Sequence, residues 1–136
     1  MDTLSAERRS ANMSRIRSQG TAPELVVRRL VHSMGYRFRL HVATLPGKPD
    51  IVLPRWKCVI EVRGCFWHQH AGCSDSHIPK TRLEYWEPKL ERNQKRDKRN
   101  IRELRKLGWR VCVVWECETK DTGKLSKRLT HFLAAH

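Results

Sequence analysis

Apolar and polar positions follow two rhythms along this chain, and the changes between them lay out a series of elements. Residues 1–20 follow neither: they are polar and basic, with isolated Met13 and Ile16, and are expected to be an arm that orders on a partner. Thr21-Ala-Pro-Glu24 then has the makings of a helix start, with Thr21 as N-cap and Pro23 in the first turn. Val27, Leu30, Val31 and Met34 share one helical face, and Gly35 is a natural stop. Three strands are expected next. Tyr36, Phe38 and Leu40 alternate with Arg37, Arg39 and His41, the pattern of a half-buried strand. Asp50-Ile-Val-Leu53 and Cys58-Val-Ile-Glu-Val62 are short apolar strands separated by a turn at Pro54-Arg-Trp-Lys57. After an irregular stretch, 64–86, Glu87-Pro88 is expected to open a long helix that ends at Gly108. Trp109 to Trp115 is continuous enough for a central strand buried on both faces. A last amphipathic helix carries Leu125, Leu129, Phe132 and Leu133. The order α-β-β-β-α-β-α predicts an α/β domain, one mixed sheet flanked by helices, over 21–136.

Length agrees with this, since 136 residues support one core and not two ordinary domains. Charge adds a partner. Lys and Arg number 28 against 14 Asp and Glu, a net charge of +14. Such an excess points to nucleic acid, because each neutralised phosphate releases condensed counterions. Between 89 and 106 the long helix carries nine Lys and Arg against three acids, which reads as a phosphate-facing surface. No apolar run approaches a membrane span, and the first residues lack the apolar centre of a signal peptide, so a cytoplasmic or nucleoid-associated protein is expected. Five cysteines in such a compartment point to metal binding or core packing rather than disulfides.

Two constellations carry chemistry. Asp50 heads one strand, and Glu61-Val62-Arg63 lies on the next, eleven residues on. If the strands pair as a hairpin, Asp50 falls beside Glu61, while Glu61 and Arg63 face the same way. The two carboxylates with the carbonyl of Val62 would hold a hard cation such as Mg²⁺, and Arg63 would supply positive charge to an attacked phosphate. The alternative is that Asp50 caps a turn and Glu61 pairs with Arg63. A carboxylate within an apolar strand is costly unless paired or metal-bound, which favours a metal site. The second constellation is Cys65-x4-His70-x2-Cys73 with Cys117, a candidate Cys₃His tetrahedron for a structural Zn²⁺. Its alternative is a loop of free thiols. Cys58 and Cys112, within apolar strands, are expected in the core.

Pro49-Asp50 with Glu61-x-Arg63 resembles the PD-(D/E)xK nuclease superfamily. Leu45-Pro-Gly-Lys-Pro-Asp50, Gly64-Cys-Phe-Trp-His68, Arg82-Leu-Glu-Tyr-Trp86, Arg96-Asp97 and Gly108-Trp-Arg-Val to Val-Trp-Glu-Cys117 together resemble the Vsr mismatch endonucleases, from about Ser10 to Glu118. The resemblance implies a restriction-endonuclease-like core with a structural zinc, and a Mg²⁺-dependent nick 5′ to the T of a T:G mismatch left by deaminated 5-methylcytosine. It implies that Asp50 and the carbonyl of Val62 bind the metal, that His68 activates the nucleophilic water, and that Glu24 belongs to the active site. It assigns zinc to Cys65, His70, Cys73 and Cys117. Phe66, Trp67 and Trp86 would wedge into the base stack, Met13 would insert from the minor groove, and Lys89 and Asn93 would lie near the mispair. Glu24 also has a plain reading as the capping-box partner of Thr21, and His68 as a surface or spare zinc ligand. The chain departs from the family at Glu61 and Arg63, where an aromatic residue and a histidine are usual. A monomer acting on mismatched duplex DNA is expected, alongside proteins of a repair pathway. The alternatives are a Vsr-like restriction or defence nuclease and a non-catalytic zinc protein that binds distorted DNA.

Overall fold

In a computed structural model that describes residues 20–76, 78 and 81–135, the expected succession of elements is present. It runs α1 (Ala22–Ser33), β1 (Arg39–Leu40), β2 (Ile51–Leu53), β3 (Cys58–Arg63), α2 (Leu83–Lys106), β4 (Arg110–Trp115) and α3 (Thr122–Ala134). The strands form one mixed sheet in the order β1-β2-β3-β4, antiparallel except for the β3–β4 pair. Met13 and the basic arm, Gly20 apart, lie outside the described residues.

Alternation along β3 divides the molecule into two layers. Cys58, Ile60 and the partly buried Val62 face α1 and α3, where Val27, Val31, Leu125, Leu129 and Leu133 complete the main core. Val59 faces the other way, onto Leu104 of α2. Cys58 and Cys112 are buried in the main core as expected. Glu61 and Arg63 follow Val59 on the α2 side, and both are buried.

Three expectations are corrected. The first strand shrinks to Arg39–Leu40, because the backbone turns left-handed at His41 (φ 46°) and Tyr36 and Phe38 pack on the core from irregular chain. The long helix starts four residues before Glu87, at Leu83. Arg82 caps it in a left-handed conformation, and Pro88 lies inside it. The proline leaves the carbonyl of Glu84 without an intrahelical donor, a loss that solvent makes good on an exposed residue. The third concerns β4, which is an edge strand and not a central one. Its free edge is closed by side chains: Glu118 accepts from Trp115 N at 3.0 Å, and Arg128 bridges Glu118 to the carbonyl of Val113 at 2.8 Å.

Candidate active site and metal centre

The last β2–β3 pair is Ile51 with Ile60, whereas β3 stays paired to β4 as far as Arg63. Residues 61–63 therefore have one open edge, and there Asp50 Oδ2 accepts from the N–H of Val62 at 2.8 Å. The N–H and C=O of a strand residue point to the same edge, so the carbonyl of Val62 also faces that opening. Asp50, Glu61, Val62, Arg63 and His68 line one cleft of about 950 Å³.

Asp50 is crowded by acids. Burial and the nearby Glu24 and Glu61 carboxylates outweigh the Val62 hydrogen bond and push its carboxyl up to about 8. The ligand atoms of Glu24, His41 and Asp50 lie within 4.8 Å of one another, a grouping that can hold a metal ion. Thr21 caps α1 by accepting from Glu24 N at 3.3 Å, but the Glu24 side chain does not close a box on Thr21. It is buried, ion-paired to Arg28, and bonded to His41 Nε2 at 3.0 Å. The alternation of 36–41 gave His41 only as a polar strand position. Its position next to Asp50 depends on the β1–β2 pairing, extended by His41 N donating to Asp50 O at 3.1 Å.

Glu61 is a different case. Its carboxylate bonds Arg63 Nη2 at 2.6 Å on the α2 side of the sheet, and it is not among the residues grouped around Asp50. Burial raises its pKa against the opposing pull of Arg63. The paired-carboxylate alternative thus describes its first partner, while the side chain still lines the cleft.

His68 closes the cleft from the loop after β3. Its Nδ1 lies 2.6 Å from Asp97 Oδ2 on α2. A carboxylate only accepts, which places the proton on Nδ1 and leaves Nε2 as the basic nitrogen. Nothing in the local sequence around Asp97 assigns it a role. Its sign was an acid on the face of α2 that also carries the buried Leu90 and Leu104, where a lone carboxylate needs a partner.

Cys65, His70, Cys73 and Cys117 come together as predicted, their ligand atoms within 4.8 Å. His70 Nδ1 is 3.7 Å from Cys65 Sγ and 3.4 Å from Cys117 Sγ. Burial pushes the Cys65 thiol up to about 12, so its thiolate needs a cation beside it. The His70 ring stacks on Trp115 at 4.2 Å and 10°, and the Arg63 guanidinium lies 6.0 Å from that indole.

Phe66, Trp67 and Trp86 are half-buried and pack edge to face on one another at 5.3–5.7 Å. Lys89 Nζ lies 5.6 Å from the Trp67 ring, and Asn93 donates to the Trp67 carbonyl at 3.2 Å. The five residues form one unit beside the cleft. Gly47 sets its opposite wall: at φ 73° it lies against Asn100 of α2, where a Cβ would come within 2.6 Å of the side chain.

Known proteins share the sequence and the fold of this chain. The family model for DNA mismatch endonuclease Vsr matches residues 1–75. The type II nicking enzyme V.XorIIP of Xanthomonas oryzae is 54% identical over 97% of this chain and 96% of its own length. The DNA mismatch endonuclease Vsr of Escherichia coli is 44% identical over 87% of this chain and 75% of its own. Among solved structures, the catalytic domain of homing endonuclease I-Bth0305I shares the fold with a TM-score of 0.58 at 22% identity, over 86% of this chain and 98% of that one.

Proposed function

The chain belongs to the Vsr family of DNA mismatch endonucleases, and from that premise we propose that it nicks one strand of a duplex 5′ to the T of a T:G mismatch, with Mg²⁺ at Asp50. It is a DNA endonuclease, which sets aside the non-catalytic reading. The observation that carries the proposal is Asp50, fixed on the open edge of β3 between the Glu24–His41 pair and the His68–Asp97 pair. Oδ2 is engaged by Val62 N–H; Oδ1, 3.9 Å from His41 Nε2, would be offered to a cation together with the carbonyl of Val62. Oxygen donors suit Mg²⁺, and an acid held protonated up to about 8 is one that a cation would relieve. The bound ion supplies charge neutralisation at the phosphate and a more acidic water.

The chain's own residues do the rest. Nε2 of His68 takes the proton of the attacking water, and Asp97 holds the ring in the required tautomer. Arg63, kept in place by Glu61, would face the phosphate, and Glu61 would help hold the cation, directly or through water. Glu24 and His41 hold the Asp50 carboxylate from behind. Phe66, Trp67 and Trp86 enter the base stack, where unstacking costs least at a mispair. Lys89 and Asn93 lie against the mispair, and Met13 reaches it from the minor groove as the 1–20 arm orders. Zn²⁺ at Cys65, His70, Cys73 and Cys117 fixes the aromatic loop, since three thiolates and an imidazole suit a closed tetrahedral site. The protein acts as a monomer in the cytoplasm on nucleoid DNA, ahead of repair enzymes that use the nick.

Labelled duplexes with T:G or T:A at one position, incubated with Mg²⁺ or EDTA, test this reading. A Mg²⁺-dependent nick at T:G alone is expected. Equal cutting of both duplexes would replace repair with a restriction or defence activity on undamaged DNA.

A further inference from the structure

The charge count along α2 points to one phosphate-facing surface; the structure divides the helix into two flanks. Lys89, Asn93, Arg96 and Asn100 line the active-site cleft. A separate groove of about 570 Å³ is lined by Lys98, Ile101, Arg102, Arg105 and Lys106. At 100° per residue the two sets point roughly 180° apart, on opposite sides of the helix axis. A straight duplex seated in the cleft therefore does not reach the second groove.

The second flank is almost bare of acid. Lys98, Arg102, Arg105 and Lys106 are exposed, and no ion pair engages them among the described residues. Glu91 lies further up this side and is paired with Lys95 at 3.2 Å. Asp97 is turned to His68. Concentrating like charge on one helix face costs stability unless a polyanion neutralises it. The run from Lys98 to Lys106 covers about 12 Å of axis, the axial extent of roughly three to four nucleotides of one strand. Partly buried Ile101 is the groove's one apolar lining residue, too small a floor to anchor an acidic peptide. Cations in line, without an apolar anchor, match a phosphate backbone.

We infer that this flank of α2 is a second duplex-binding surface, distinct from the cleft, which grips the phosphates of another DNA segment without reading sequence. A chain with both surfaces can hold one stretch of DNA while testing another, which suits a search for rare sites.

The binding measurements are made without added Mg²⁺ and without chelator, which leaves the Cys–His site undisturbed, so they stand whether or not the Mg²⁺-dependent reading holds. Two short duplexes with different fluorophores are titrated with the full chain, and DNA stoichiometry and energy transfer are measured. One chain is expected to hold two duplexes at low salt. A variant carrying Lys98→Gln, Arg102→Gln and Arg105→Gln, with its melting temperature checked, should hold one. Its salt dependence on a long duplex should flatten by about 2.7 in log–log slope, three contacts at about 0.9 each, with kcat on saturating substrate retained. A single duplex per wild-type chain, or an unchanged slope in the variant, overturns the proposal. Binding of an acidic protein by the wild type and not by the variant, with DNA binding unchanged, would also overturn it and assign the flank to a protein partner.

Discussion

At Asp50 two demands on one carboxylate oppose each other. Burial among acids keeps the folded group protonated up to about 8, against an ordinary value of 3.8. The folded chain thus binds a proton that the unfolded chain has released, and the stability this confers is full below pH 4 and lost as pH rises through 8. A divalent cation binds the ionised form and offsets that loss. The rise in melting temperature caused by Mg²⁺ should therefore grow steadily from acid pH to above 8, and Asp50→Asn should remove the trend. A Mg²⁺ shift that is flat with pH would mean that the ion binds elsewhere. His68 and Asp97 permit a finer separation. His68→Ala should cost about 10²–10⁴-fold in kcat, the usual contribution of a general base. Asp97→Asn should cost less and should shift the pH–rate profile, because the amide can donate to Nδ1 and so favour the wrong tautomer. Single-turnover rates across pH decide this; equal losses with unchanged profiles would give both residues a purely structural part.

Element by element, the order was legible because each segment signals itself locally. The Thr21–Pro23 start and Gly35 stop of α1, the apolar runs of β2 and β3, and the Leu125–Leu129–Leu133 stripe of α3 need no knowledge of the rest. What was not legible depends on partners distant in sequence. Pro88 resembles a first-turn proline, yet the helix begins earlier, where Trp86 packs on Phe66 and Trp67. An apolar run cannot show which side of a sheet it lies on, so β4 passed for a central strand. His41 and Asp97 were missed for the same reason, since each is defined by a residue on another element: Glu24 for His41, and His68 for Asp97. Asp50, Val62 and the Cys–His set were legible from strand placement and ligand spacing, and the resemblance added to both. The closed edge of β4 has its own consequence. Arg128→Ala frees the carbonyl of Val113 and loosens Glu118 from Trp115, and exposed strand edges pair with one another. Concentration-dependent self-association by sedimentation is expected for this variant and not for the wild type, with helix content preserved.

For the whole molecule, the Cys–His cluster ties the loop after β3 to the chain beyond β4. Cys65, His70 and Cys73 lie on one side of it and Cys117 on the other, so a single ion bound there would close the chain into a loop running from Cys65 to Cys117. Chelation that strips this site should lower the melting temperature by on the order of 10 °C. It should also abolish nicking in a way that added Mg²⁺ does not restore, because Phe66, Trp67 and His68 all belong to the tethered loop. Nicking that recovers with Mg²⁺ alone would show that the loop holds its shape unaided.

The flat contact between His70 and Trp115 has an optical consequence. An imidazole lying on an indole at 4.2 Å is close enough to quench its emission, and quenching by imidazole depends on whether that ring carries a proton, a metal ion or neither. Trp115 also lies beside the Arg63 guanidinium, so its emission senses charge arriving in the cleft as well. If metal ions occupy the Cys–His group and the Asp50 site, the part of the emission that comes from Trp115, one of five tryptophans, would report the loading of the first and, through Arg63, the filling of the second.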